Sequence, residues 1–268
     1  MARMWSWSSV VFWLRIGAVL WAVVVAVALI LLAHKQLTLS PGLEATAWIV
    51  SAIIIGVDNL GTLFRRKANR DLHRFRADID EAILPMLTQM AETRQVRFEQ
   101  LGGSVYRPKR QRWFSQKPKV MERLRRVRPS NYPRRNGVTW TASTGQVGAS
   151  FTVGAPVYQD WHAAGMEWQK HRLRSDADKA FAELDEAIRG KHSYEEFVAA
   201  AGRYSEVIAI PLLNPLNDSE VIGVLTIDRA FEEDNLQYAP FLNTQAAERI
   251  YAGPQELLAS ILKPAGSS

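Results

Sequence analysis

The sequence predicts an α+β fold: an N-terminal two-helix transmembrane anchor followed by a domain with a central antiparallel sheet flanked by helices. Three observations predict it. Almost all the uninterrupted apolar sequence of this 268-residue chain lies before residue 64. Beyond residue 136, β-branched runs alternate with dense turn clusters, the punctuation of strands and hairpins. Residues 174–201 and 238–251 carry apolar positions at helical spacing.

The anchor is expected over residues 1–64, with spans at about 10–33 and 45–64. Ile16–Ala33 is an 18-residue run without a charge. At about 1.5 Å per residue it nearly matches a hydrocarbon core of roughly 30 Å. A signal peptide fits poorly, because the run is too long and His34-Lys35-Gln36 is no small-residue cleavage site. Ala45–Phe64 is less pure, with Asp58 and Asn59 near its end, and a half-buried surface helix is the competing reading. Arg65, Arg66, Lys67 and Arg70 follow it, so the positive-inside rule places both termini in the cytoplasm of a multi-pass protein of the inner (cytoplasmic) membrane. Arg15 and Asp58 fall at similar depth and either pair or reach the headgroups separately.

Residues 65–94 read as a helical stalk. Ala68, Leu72, Phe75, Ile79, Ala82 and Met86 form a heptad-like seam, which either pairs two protomers or packs on the chain's own domain. Pro85 is expected to kink it.

Net charge is +6, but unevenly spread: residues 65–135 hold 20 Lys/Arg against 7 Asp/Glu, whereas residues 136–268 hold 10 against 18. The basic segment 107–135 includes Arg107, Lys109, Arg110, Arg112, Lys117 and Lys119, with Trp113 and Phe114 among them. Following an anchor, it is expected to face membrane lipid. Single-stranded nucleic acid is the rival partner, and a solvated loop a third reading. The chain has no cysteine, which excludes disulfides, thiolate metal sites and a cysteine nucleophile. No phosphate-cradling loop, nucleophile elbow or zinc-ligand spacing occurs, so neither catalysis nor a metal or cofactor is expected. His162 and His171, in a Trp-rich stretch, read as partly exposed histidines rather than ligands.

Val96–Tyr106 and Lys119–Arg128 are expected strands. Tyr204–Leu213, the turn cluster Asn214–Ser219 and Glu220–Asp228 make an antiparallel hairpin. Three stretches then resemble the GAF domain family, the last being the closing Phe231–Glu233 stretch with the helix 238–251. Val138–Tyr158 is similar to its pattern of Trp, a glycine-spaced turn, a short helix and Gly-x-Pro-Val, carried here by Trp140, Gly145, Gly148, Gly154, Pro156 and Val157, with Ser143 replacing one glycine. Ile208–Arg229 is similar to its hairpin, carried by Ile210, Pro211, Leu212, Val221, Ile222, Gly223, Val224, Leu225 and Asp228. The resemblance implies a GAF-like sensory domain over 95–252, ahead of a flexible tail at 253–268. It implies a sheet with a small-molecule pocket on one face and a dimer contact on the other. The family's Asn-Lys…Phe…Asp-Glu set for cyclic nucleotides is altered, because Asp228, Arg229, Phe231 and Glu233-Asp234 stand there. Candidate ligand residues are Trp140, Trp161, Trp168 and Arg229, for an unidentified small molecule such as a nucleotide. The expected function is a membrane-anchored, homo-oligomeric sensor that couples a ligand or protein partner to the membrane helices. The alternatives are a ligand-free docking scaffold or a membrane-disrupting effector.

Overall fold

The computed structural model describes residues 41–109, 120–130, 132–133, 140–142, 144–173, 176–189, 192–231 and 238–263, with scattered positions before 41. The chain divides into two compact units, Met1–His73 and Arg74–Ser268.

Helix α1 runs Pro41–Arg94 without interruption, through Pro85. The helix is not broken at Pro85, and the turns on either side are buried: Ile79, Ala82, Ile83, Met86, Leu87 and Met90 are almost fully enclosed. That settles the C-terminal half of the seam, which packs on its own domain. Leu72 is exposed.

The membrane expectation requires correction. Among the described residues, no helix is long and apolar enough to cross a membrane. The apolar stretch at the start of α1 is broken by Asp58 and Asn59 and passes into Arg65-Arg66-Lys67. The multi-pass placement in the inner membrane, and the anchor in the expected fold class, are therefore not supported. Most of the expected first span and Arg15 lie outside the described residues, as do the side chain of Asp58 and the basic residues Arg110, Arg112, Lys117 and Lys119.

The second unit is an α+β domain. A 3₁₀ turn, Phe98–Gln100, leads into β1 (Leu101–Pro108) and β2 (Met121–Val127). Then follow α2 (Gly145–Val153), β3 (Val157–Asp160), α3 (Trp161–Arg172), the short helices α4 (Ala177–Glu183) and α5 (Glu186–Arg189), and α6 (Tyr194–Ala201). The hairpin β4 (Tyr204–Asn214) and β5 (Asn217–Ala230) precedes α7 (Gln245–Leu262). The strands form one antiparallel five-stranded sheet, ordered β2-β1-β5-β4-β3. The hairpin turns in two residues, tighter than expected, and Asn214 Oδ1 accepts from Leu216 N at 3.1 Å. Helix α7 extends well past residue 252, into the stretch expected to be a tail, because Leu258 and Ala259 join the core.

Strand alternation sorts the sheet into two faces. On one, Leu101, Val105, Ile208, Ile210, Leu212, Leu225 and Ile227 meet the C-terminal turns of α1 and the inner side of α7, the largest apolar cluster. On the other, Tyr106, Ala209 and Val224 meet Val147 and Phe151 of α2. Beyond it, Trp161, Trp168, Ala180, Leu184 and Phe197 bind α3, α4 and α6 into a separate cluster.

Candidate functional site

Between the second sheet face and these helices the chain leaves a small, partly open cavity of about 50 Å³. Its floor is Ser104 and Tyr106 of β1, Thr226 and Asp228 of β5, and Val207 of β4. Arg123 and Arg126 of β2 form one wall. The residues opposite include Trp140, Gln146, Trp161, His192 and Glu196.

A β-bulge makes the arginine wall. Residues three apart in a regular strand point to opposite faces. Here the β1–β2 register shifts between Val105 and Tyr106, pairing Ser104 with Arg126, Val105 with Arg125 and Tyr106 with Arg123. The extra residue rotates Arg123 onto the same face as Arg126, which is how bulges re-aim side chains. Arg125 points the other way and is ion-paired with Asp80 of α1.

The neighbouring charges are partly spent on each other. Asp228 is ion-paired with Arg128, whose side chain is 3% exposed and which also donates to the carbonyls of Gln100 (3.2 Å) and Tyr132 (3.1 Å). Burial lowers the Arg128 guanidinium to about 10, and Arg126 is lowered by burial too. Both remain cationic at neutral pH. Arg126 donates to the carbonyl of Pro133. Glu196 closes a capping box at the start of α6, its Oε2 accepting from Ser193 N at 3.0 Å. With Asp228 neutralised, the cavity carries two guanidinium groups on the β2 side against one carboxylate at the α6 side.

His192 is the most constrained polar group. Its side chain is 2% exposed and stands between the edges of Trp161 (5.1 Å between ring centres) and Trp140 (6.4 Å). Burial lowers its pKa, with Glu196 working weakly in the other direction, so the ring is neutral at pH 7. Nε2 faces Gln146 Oε1 at 3.1 Å, so the proton sits there and is donated to the amide oxygen. Nδ1 is buried without a hydrogen-bond partner. Gly145 makes this packing feasible: its φ is +54°, and a Cβ there would collide with His192 Cε1 and lie 2.8 Å from Trp140 Cζ3. Gly148 is required for a similar reason, since its Cβ would overlap the backbone of Thr141 and Ala142.

Of the sequence candidates, Trp140 and Trp161 line the cavity. Trp168 is packed against Phe197 with Arg172 over its ring, outside the cavity. Arg229 is on the opposite sheet face. It lies 3.8 Å from the fully buried Glu206 and donates to Gln100 Oε1 at 3.3 Å. Glu206 in turn accepts from the backbone N–H groups of Phe241 and Leu242, both at 2.9 Å, tying the approach of α7 to the sheet. Arg107 is exposed beside Glu122 (3.9 Å), and the backbone N–H of Lys109 donates to Val120. His162 stacks on Tyr238 (4.4 Å), and His171 stands between Glu167 and Glu183. Among the described residues no cluster suits a metal ion. Sequence reasoning missed Arg123, Arg126, Gln146 and His192. The two arginines were hidden in a uniformly basic run, and His192 lies outside the motif it packs against.

Sheet, flanking helices and cavity define an α+β domain with a pocket between sheet and helices, an arrangement that fits a GAF-like domain. No family profile matches the chain, and no curated protein sequence does. Among solved structures, the type II free methionine-R-sulfoxide reductase of Thermoplasma acidophilum is similar at 11% identity, covering 70% of this chain and 94% of that one, with a TM-score of 0.39. The reduced form of fRMsr from Staphylococcus aureus is similar at 10% identity, covering 71% and 94%, with a TM-score of 0.35. An NreA protein of the same organism, mutated in its nitrate-binding site, is similar at 12% identity, covering 66% and 96%, with a TM-score of 0.32. TM-scores below 0.5 carry no weight for the site, whose chemistry is read from this chain's own residues.

Proposed function

We propose that the second unit is a small-molecule-binding regulatory module whose pocket takes a small organic acid. The observation that carries this is the juxtaposition of Arg123 and Arg126 with Trp140 and Trp161 around one cavity. Guanidinium groups match a carboxylate in geometry as well as charge, and in a partly desolvated site such charge-assisted bonds are the stronger kind. The tryptophan edges and Val147 give the rest of the ligand an apolar surface. A bound acid would touch β2, α2 and α6 together, and so favour the conformation in which these elements are closed on the sheet. Ligand binding shifts an equilibrium only by its differential affinity for the two states, and a pocket built from three separate elements supplies that difference.

Arg123→Gln is the direct test. Removing one charged hydrogen-bond donor costs about 1.5–3 kcal/mol of binding, or roughly tenfold to a hundredfold in Kd. The variant should weaken binding of phenylacetate to the full-length chain by that factor, while its melting temperature without ligand stays near that of the wild type. Unchanged affinity would remove the arginine wall from the account.

A further inference from the structure

We infer that the pocket selects acids that also carry a hydroxyl or N–H donor, and that His192 Nδ1 is the acceptor that reads it. This rests on the proposed acid-binding pocket and adds a second recognition point.

The tautomer of His192 is fixed from the far side of the ring. Gln146 is buried, and its Oε1 holds the Nε2 proton at 3.1 Å. The remaining ring nitrogen therefore presents a lone pair. Nδ1 is enclosed, finds no donor among the described residues, and lies 4.0 Å from Glu196 Oε2, which is itself an acceptor. Two acceptors face one another with no proton between them, and both residues line the cavity. A buried acceptor left unmade costs about 1–3 kcal/mol. A ligand O–H or N–H reaching that point removes the cost, whereas a ligand lacking one leaves it in place. Discrimination by a site built to pair with a substrate hydroxyl is accordingly much steeper than discrimination by apolar fit. The β2 arginines and His192 stand on different walls, so the acid and the donor occupy different ends of the ligand.

Gln146 is a positioning residue here: it touches no ligand in this scheme and acts by holding the proton on Nε2. Trp140 and Trp161 hold the ring in place through their edge contacts.

Matched probes differing by one hydroxyl at the end away from the carboxylate test this on the full-length chain by titration calorimetry: butyrate against 4-hydroxybutyrate, and phenylacetate against 4-hydroxyphenylacetate. Each hydroxy acid should bind at least tenfold more tightly than its parent. In His192→Leu the advantage should vanish, the two acids of each pair binding alike. Should His192→Leu not fold, Gln146→Leu reads the same device, reducing the ratio of hydroxy-acid to plain-acid affinity. Nitrogen-15 NMR of the His192 ring gives an independent signature: an unprotonated Nδ1 whose resonance moves with 4-hydroxybutyrate and stays put with butyrate. Equal affinity within both pairs would overturn the donor reading and leave the acid pocket standing. Failure of all four acids to bind would overturn both.

Discussion

Gly145→Ala probes how the pocket is assembled, and its cost follows from two separate terms. A residue with a Cβ in the left-handed region loses roughly 1–2 kcal/mol relative to glycine, and Gly145 sits there at φ +54°. The added methyl would also overlap His192 Cε1 and crowd Trp140. Neither ring can step aside freely, since His192 is wedged between two tryptophans and Trp140 packs edge-on against Tyr106 at 6.3 Å. Overpacking of this kind costs about 1–3 kcal/mol. Together the terms give about 3 kcal/mol. For a domain of this size that lowers Tm by about 6–12 °C, at roughly 2–4 °C per kcal/mol. Thermal and urea denaturation of the full-length chain measure it, and Gly253→Ala is the control. Gly253 lies inside α7 with nothing within 4 Å of its would-be Cβ, so alanine there should be neutral or stabilise by up to about 1 kcal/mol. If Gly145→Ala stayed within about 0.5 kcal/mol of wild type, the close packing of His192 and Trp140 on that turn would be refuted.

Three further outcomes are expected. Glu206→Ala leaves two backbone N–H groups of the α7 approach without an acceptor and Arg229 without its carboxylate, and should cost about 3–5 kcal/mol by urea denaturation. In a double-mutant cycle, Arg229→Met should recover part of that loss. Because burial holds the folded-state pKa of His192 below its ordinary 6.5, the unfolded chain takes up the proton first. The contribution of His192 is then complete above pH 6.5 and is lost as pH falls through and below that value. His192→Gln should flatten this part of the stability profile measured by denaturation from pH 7.5 to 5. Arg128→Met leaves Asp228 buried beside the cavity without its cation, and should destabilise the domain by about 3–5 kcal/mol while the double variant with Asp228→Leu is milder.

The hairpin and the helix at the chain's end were legible because their signals are local: β-branched runs with a turn cluster between them, and apolar residues at helical spacing. The glycine stretch was legible for the same reason where its demands are local, Gly148 against Thr141 and Ala142 and Gly145 against Trp140, whereas the demand of His192 on Gly145 is distant in sequence. The site was only half legible. Trp140 falls within that stretch and Trp161 just beyond it, and both line the cavity. Arg123 and Arg126 share a face only through a register shift against β1, and no periodicity in β2 itself announces a bulge. Arg229 drew attention through its place beside Asp228, yet neighbours along a strand point to opposite faces, and it belongs to the buried network with Glu206. The apolar N-terminal sequence reads as two membrane spans when runs are counted. Among the described residues no helix meets the length and apolarity that crossing requires.

Titration of phenylacetate and of its uncharged amide, phenylacetamide, into the full-length chain tests the acid pocket most directly, because the two probes share shape and differ in the charge that Arg123 and Arg126 are positioned to meet. Saturable one-site binding of the acid, with the amide at least tenfold weaker, is the expected result. Equal binding of both, or of neither, would contradict it.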